Sequence, residues 1–380
     1  MKIFYVDPNA TTSQYNYPLV EELNRQGVNA TLYSTINRHI SSYYQENYKL
    51  PADYIFFKLA NRIKNQKLRR FFKLLSYPID SCNFLLKIKK HKPDIIHYNW
   101  LAVPLFDLLI IKKLKKQGYP IIITRHNYIA HENNKMQPGS MECLKLADHI
   151  ICLSDSIKNR FPISLQSKIS VINHGNTYQN ELDNYTPSNI KTNEYLIKIL
   201  LIGSLKPYKG VILLLKAFHE LITEQELPQL RLKIIGSCSK PLAYEIENFI
   251  TLYKIDSLVE RTYHFISYNE MFDHIRDCSV GILPYQWGSQ SGLPYLFYAF
   301  NKPLILSNSC GIAEQGNPEI SLITKPEIPD IKESINLFIK NRLNYHSADF
   351  TEFLKQNDIS IVADKIIEIY HKINNNMESL

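Results

Sequence analysis

Residues 197–218 read Ile197-Lys-Ile-Leu-Leu-Ile202-Gly203-Ser-Leu-Lys-Pro-Tyr-Lys-Gly210-Val-Ile-Leu-Leu-Leu-Lys-Ala-Phe218, and they decide the fold. An apolar run ends on a glycine, a short turn carries Lys206 and Lys209, and apolar Leu213, Leu214, Ala217 and Phe218 then recur at helical spacing. Strand, glycine turn and helix in that order form the repeating unit of doubly wound α/β sheets. The turn combines free backbone N–H groups, the positive end of a helix dipole and two cations, which suits an anion such as a diphosphate. The alternative is a solvated lysine turn.

The same alternation extends in both directions. Toward the N-terminus, strand-like runs fall at Lys2–Val6, Val28–Tyr33, Asp94–Tyr98, Pro120–Thr124, His149–Leu153 and Ile169–Ile172. Toward the C-terminus they fall at Ile197–Ile202, Arg231–Ile235, Arg261–Ile266, Val280–Leu283, Pro303–Leu306 and Ile320–Ile323, separated by helical stretches such as Val211–Thr223. Two doubly wound, Rossmann-like α/β domains are expected, which accounts for 380 residues at roughly 150 per domain. Asn176 to Asn193 lacks apolar periodicity and holds Pro187, so it reads as a linker. The expected organisation is a domain over 1–178, a linker over 179–195, a second domain over 196–358 and a terminal helix over 359–380 packing back on the first domain.

Composition narrows the class. With 45% hydrophobic and 21% charged residues the chain can bury a large core, against wholesale disorder or a fibre. The six cysteines form no CxxC pair or zinc-like cluster and read as small buried hydrophobes in a reducing compartment. The first apolar run breaks at Asp7, too short for a signal peptide, and no stretch approaches the ~20 apolar residues that span a bilayer. A cytoplasmic location is expected. The formal charge of +8 is uneven, +13 over residues 1–175 and −5 over the rest. Much of the excess lies in Lys58 to Leu75, which has seven cations, no acid and interleaved Leu59, Ile63, Leu68, Phe71, Phe72 and Leu75. That reads as a basic amphipathic helix, Lys58 to Lys73 supplying its cations, and it suits an anionic membrane surface on the inner face of the cytoplasmic membrane. The other readings are a solvated helix face or a nucleic-acid contact, and the latter lacks a recognised module.

Ligands of open α/β sheets bind beyond the carboxyl ends of strands, so the post-strand segments hold the candidate chemistry. After Val280–Leu283 comes Tyr285-Gln-Trp-Gly288-Ser289-Gln-Ser291-Gly292-Leu293-Pro294, where Ser289, Ser291 and N–H groups at the following helix start suit a phosphate, or make only a tight turn. After Pro120–Thr124 comes Arg125-His126-Asn127-Tyr128-Ile-Ala-His131-Glu132, which gathers two histidines and a carboxylate. Histidine there can be base, acid or hydrogen-bond donor, or simply structural; the spacing matches no zinc site.

In this order, these segments resemble the GT-B glycosyltransferases, specifically bacterial enzymes of glycosyltransferase family 4 type that build capsule, exopolysaccharide or O-antigen. The most specific matches are the Gly203–Gly210 turn with Leu-Leu-Lys-Ala-Phe218, and Ser-Gly-Leu-Pro294 followed by Asn301-Lys-Pro-Leu-Ile-Leu306. The resemblance implies a UDP- or GDP-linked sugar donor, no other cofactor and no metal, with donor on the C-terminal domain and a lipid-linked saccharide acceptor on the N-terminal one. It implies donor contacts from Gly203, Ser204, Lys206, Lys209, Ser289, Ser291, Gly292 and Leu293, with Gly236 and Phe265 to Ser267 near the nucleotide. Glu314 falls where a family glutamate often follows a glycine, and His126 would face the transferred sugar. Two departures stand out: Ser204 replaces an arginine, and Ser289 and Phe297 replace a pair of glutamates seven residues apart. Phe297 cannot hydrogen-bond a sugar hydroxyl. If the reaction inverts the anomeric centre, His126, His131, Glu132 or Asp7 is the base; if it retains, the leaving phosphate can take the proton. Another GT-B activity, such as an epimerase or phosphorylase, and a silent sugar-nucleotide binder are the alternatives.

Overall fold

The structure, a computed structural model, describes residues 1–36, 41–128, 136–189, 195–288 and 290–378, without the side chains of residues 41, 42, 310, 346 and 376–378. It divides into two compact units, Met1–Asn180 with Asn357–Leu380, and Glu181–Gln356.

The first unit runs β1 (Lys2–Val6), α1 (Ser13–Arg25), β2 (Asn29–Tyr33), α2 (Ser41–Asn47), β3 (Ala52–Asp53), α3 (Gln66–His91), β4 (Ile95–Tyr98), α4 (Pro104–Lys116) and β5 (Ile121–Arg125). It continues through α5 (Ser140–Leu146), β6 (His149–Cys152), α6 (Asp155–Lys158), α7 (Ile163–Gln166) and β7 (Ile169–Val171), and α8 (Gln179–Asp183), a short helix within the segment read as linker, spans the boundary between the units. The second unit runs β8 (Ile197–Ile202), α9 (Val211–Glu224), β9 (Leu230–Ile235), α10 (Lys240–Leu252), β10 (Val259–Thr262), α11 (Tyr268–Asp277) and β11 (Val280–Leu283). It ends with α12 (Leu293–Ala299), β12 (Leu304–Ser307), β13 (Ser321–Thr324), α13 (Ile328–His346) and α14 (Thr351–Gln356), before α15 (Ile359–Glu378) returns to the first unit.

Both sheets are parallel. The first has the order β3-β2-β1-β4-β5-β6-β7 and the second β10-β9-β8-β11-β12-β13. The expected pair of doubly wound domains is therefore what the chain forms. In each sheet the chain adds two strands on one side of the first and then crosses to its other side, so a crevice opens at the carboxyl ends of β1 and β4, and again at β8 and β11. The strands are hydrophobic on both faces, as sheets covered on both sides require.

Helix α15 is held by its apolar stripe. Val362, Ala363, Ile366 and Tyr370 are buried with Ile3 and Tyr5 of β1, and the Tyr370 hydroxyl lies 2.6 Å from Nδ1 of fully buried His97. Nε2 of His97 meets Thr124 at 2.8 Å. Burial lowers the His97 imidazole to about 3 and that of His174 to about 4 from an ordinary 6.5. The unfolded chain thus binds protons that the folded unit refuses, so this stability is complete above pH ~6.5 and is lost as pH falls toward those values. Urea unfolding of the protein is expected to weaken between pH 6.5 and 4, and His97→Gln is expected to flatten that slope; an unchanged slope would show that His97 takes no part.

Three expectations change at this level. The helix read over Lys58 to Lys73 begins only at Gln66, because Oδ1 of Asn65 caps the N–H groups of Lys67 and Leu68; Ala60–Arg62 is a separate 3-10 turn. The strand read at Arg261–Ile266 is Val259–Thr262: it is an edge strand, and its ladder stops where β9 ends, at the Thr262–Ile235 pair. Cys82 is exposed on α3 and Cys238 is partly exposed, whereas Cys143, Cys152 and Cys278 are buried as expected.

Candidate functional site

In the second unit the turn after β8 is shaped around Lys209. Gly203 leaves β8 with its N–H bonded to the Ile235 carbonyl, Leu205 N–H bonds to the Ser237 carbonyl, and Pro207–Lys209 make one 3-10 turn. Gly210 closes it at φ +72° against β11: a Cβ there would lie 2.1 Å from the Pro284 carbonyl oxygen, so only glycine fits. This brings the Lys209 ammonium back over the strand end, 3.6 Å from where a Gly203 side chain would begin and 5.1 Å from the centre of the Tyr285 ring. Among the described residues no carboxylate lies within 4 Å of it. Burial lowers its pKa, with only Tyr208 opposing. A half-buried cation without a counter-charge is suited to an arriving anion.

The segment before α12 is fixed by a residue that the sequence reading passed over. Gln315 is buried beside Glu314, donates from Nε2 to the Ser291 carbonyl at 2.6 Å and accepts from the Ser291 N–H at 2.8 Å. Ser291 Oγ in turn accepts from the Leu293 N–H at 3.3 Å, next to Gly292. Leu293 approaches the same Gly203 position as Lys209, to 3.5 Å. The structure thus brings together Gly203, Lys209 and Leu293, and it seats Gly236 against Gly203. Ser204, Lys206 and Glu314 stand exposed around them. Phe265 is 74% exposed, and Ser267 caps α11 in a reciprocal box with Glu270, so its hydroxyl is engaged there. Ser289 lies outside the described residues. Phe297 is fully buried, its ring filling the space above Gly281, where a Cβ would come within 2.4 Å of it.

The first unit gathers its polar residues at the β1/β4 crevice. Asp7, Asn99 and His126 follow β1, β4 and β5, and all three are buried. Nε2 of His126 lies 2.9 Å from Oδ1 of Asn99, and the ring stacks on Trp100 at 4.7 Å with 6° between planes. Tyr15 meets it edge-on at 5.4 Å. Desolvation, with neighbouring His174, Arg125 and His97 charges, holds His126 neutral, well below its ordinary pKa. Asn16, Asn99 and Trp100 were not singled out in the sequence; the signal available was that Asn99-Trp100 directly follows a strand at the crevice. His131 and Glu132 lie outside the described residues.

Two family models divide the chain at these units. Glycosyltransferase Family 4 matches residues 12–176, and Glycosyl transferases group 1 matches residues 186–357. The chain belongs to the family 4 type of GT-B glycosyltransferases. A GDP-mannose:glycolipid 4-beta-D-mannosyltransferase from Xanthomonas campestris pv. campestris is 21% identical over 241 residues, 59% of this chain and 65% of that protein. This GT-B chain is therefore matched over just under two thirds of that curated relative's length. Among solved structures, Anabaena Alr3699/HepE in complex with UDP-glucose superposes with a TM-score of 0.71 at 14% identity, covering 98% of this chain and 100% of that one. Sucrose-phosphate synthase from Thermosynechococcus elongatus gives 0.73 at 14%, covering 98% and 99%. At such identities these structures establish the fold.

Proposed function

We propose that this GT-B protein transfers a hexosyl group from a UDP- or GDP-linked donor to a lipid-linked saccharide acceptor in bacterial surface polysaccharide assembly, without a metal ion. The observation that carries the reading is Lys209, a half-buried ammonium without a carboxylate partner among the described residues, held over the end of β8. As the nucleoside diphosphate leaves, negative charge develops on its phosphate oxygens, and a preorganised cation in a partly dry site stabilises that charge. Gly203, Gly236, Ser291, Gly292 and Leu293 would let the donor approach close to backbone, and His126 would face the transferred sugar. The Xanthomonas relative's name, with a GDP-mannose donor and a glycolipid acceptor, supports the reading, as do UDP and UDP-glucose in the HepE complexes. Thermal stabilisation by a panel of UDP- and GDP-sugars tests it: at least one is expected to raise the melting temperature at millimolar concentration, and none doing so would oppose the donor site. Phe297, closed into the core, favours as second reading a sugar-nucleotide binder without turnover, which would show stabilisation but no transfer to any acceptor.

The acceptor's class also draws on α3. Leu68, Phe71, Leu75 and Ile79 are between 49 and 66% exposed, and Leu105, Phe106 and Leu109 of α4 are exposed too, with Phe106 edge-on to Tyr77 of α3. Lys64, just before α3, and Lys67 and Arg70 on it are exposed, whereas Lys73, counted with them in the sequence, turns inward to Asn9 at 3.0 Å and the Phe57 ring at 4.6 Å. No helix among the described residues is long and apolar enough to cross a membrane. An interfacial helix with basic flanks binds anionic bilayers peripherally, at about 1 kcal/mol per cation. Replacing Lys64, Lys67 and Arg70 together by glutamine is expected to weaken binding to phosphatidylglycerol vesicles on the order of a hundredfold. Equal sedimentation of variant and parent with vesicles would remove this face from the proposal.

A further inference from the structure

The polar residues under His126 form a chain whose hydrogen-bond directions follow from Asp7. Asp7 Oδ2 receives the backbone N–H groups of Thr11 at 2.7 Å and Thr12 at 3.3 Å, so it is an acceptor whatever the protonation of the other oxygen. The side-chain group facing it from Asn16, at 2.7 Å, must then be the amide NH2. That turns Oδ1 of Asn16 toward Asn99, 2.5 Å away, which must donate in turn. The Trp100 indole N–H, which can only donate, takes one acceptor position of Thr12 Oγ1 at 3.0 Å and leaves that hydroxyl its own proton to give. With Asn16 Oδ1 facing it, Thr12 gives its own proton there, at 3.4 Å, and accepts from Asn99 Nδ2, at 3.0 Å. Both hydrogens of the Asn99 amide are thus assigned, and only its carbonyl oxygen is left for His126 Nε2. An imidazole nitrogen facing a carbonyl oxygen must carry hydrogen.

We propose that Asp7, Asn16 and Asn99 are positioning residues that fix neutral His126 as the Nε2–H tautomer, so that it meets a bound sugar with the lone pair of Nδ1 and accepts, rather than donates, a hydrogen bond from a sugar hydroxyl. Among the described residues Nδ1 has no hydrogen-bond partner. The Trp100 stack and the Tyr15 edge hold the ring plane, so the tautomer also fixes the direction of that lone pair. Of the roles open to a histidine at this strand end, the arrangement keeps acceptor and removes donor and acid. The sugar part of this inference rests on His126 belonging to the transfer site; the tautomer part does not.

The test is a long-range proton–nitrogen spectrum of the free protein carrying ring-15N histidine, with His126 identified by its absence in His126→Gln. A protonated, pyrrole-type Nε2 and a bare, pyridine-type Nδ1 are expected near neutral pH; a protonated Nδ1, or two averaged signals, would overturn the assignment. Asp7→Asn preserves an acceptor oxygen for the Thr11 and Thr12 N–H groups and is expected to keep the tautomer, whereas Asn99→Leu removes the carbonyl and is expected to average the two nitrogens. A merely structural Asn99 would give the same His126 signals in all three proteins. Should Asn99→Leu fail to fold, the parent and Asp7→Asn spectra still decide. Adding the stabilising nucleotide sugar should shift Nδ1 more than Nε2; an intact tautomer with neither signal moved would refute the sugar contact alone.

Discussion

Lys209→Ala is expected to leave the fold intact and lower kcat/KM for glycosyl transfer by about 10²- to 10³-fold, the cost of removing one preorganised partner of developing charge. The substitution removes the ammonium that closes over Gly203 and Leu293 and leaves its supports, Gly210 against Pro284 and the Tyr285 ring, in place. Because burial already lowers the Lys209 pKa, a diphosphate that restores its counter-charge gains more there than at exposed Lys206. Lys206→Ala should therefore cost less than tenfold, an order-of-magnitude expectation for a solvent-screened charge. Steady-state rates of both variants check this. Equal losses would show that the turn acts through general positive potential rather than through one placed cation.

Gly236→Ala is expected to have the largest effect on stability, on the order of 4 kcal/mol or more, enough to prevent recovery of folded protein. Gly236 has φ +132°, where side-chain-bearing residues are strained, and its Cβ would stand 2.0 Å from the Gly203 carbonyl oxygen. Neither backbone can yield: Gly236 N–H is bonded to the Thr262 carbonyl and Gly203 N–H to the Ile235 carbonyl. Chemical denaturation of the purified variant measures this. A loss below about 1 kcal/mol would mean that the two turns are not held as closely as described. The closeness has a functional side too, since the same contact sets the floor beneath Lys209.

The fold was legible because its signals are local: isoleucine-rich runs, glycine stops and apolar helical spacing repeat through both halves, and the sheets follow. Lys209 was legible for the same reason, being two residues from Pro207 in a turn that follows a strand. What could not be read depends on distant partners. Asn16 and Asn99 are 83 residues apart, and only the β1/β4 crossover brings them together under His126. Gln315 gave no pattern against Glu314 beside it, yet it is the one that turns inward to Ser291. The basic helix starts later than its apolar-basic pattern suggests because that pattern does not reveal the Asn65 cap, and Lys73 counts among its cations in the sequence because its inward partners, Asn9 and Phe57, belong to other segments.

The central claim is tested most directly by incubating the protein with labelled UDP- and GDP-hexoses and a bacterial lipid extract in the presence of a metal chelator, and following both nucleoside diphosphate release and label in the lipid fraction. The account predicts that one donor yields lipid-linked label in step with UDP or GDP, and that Lys209→Ala loses both. Conversion of a donor without lipid, or binding of donors with no label ever reaching an acceptor, would contradict it.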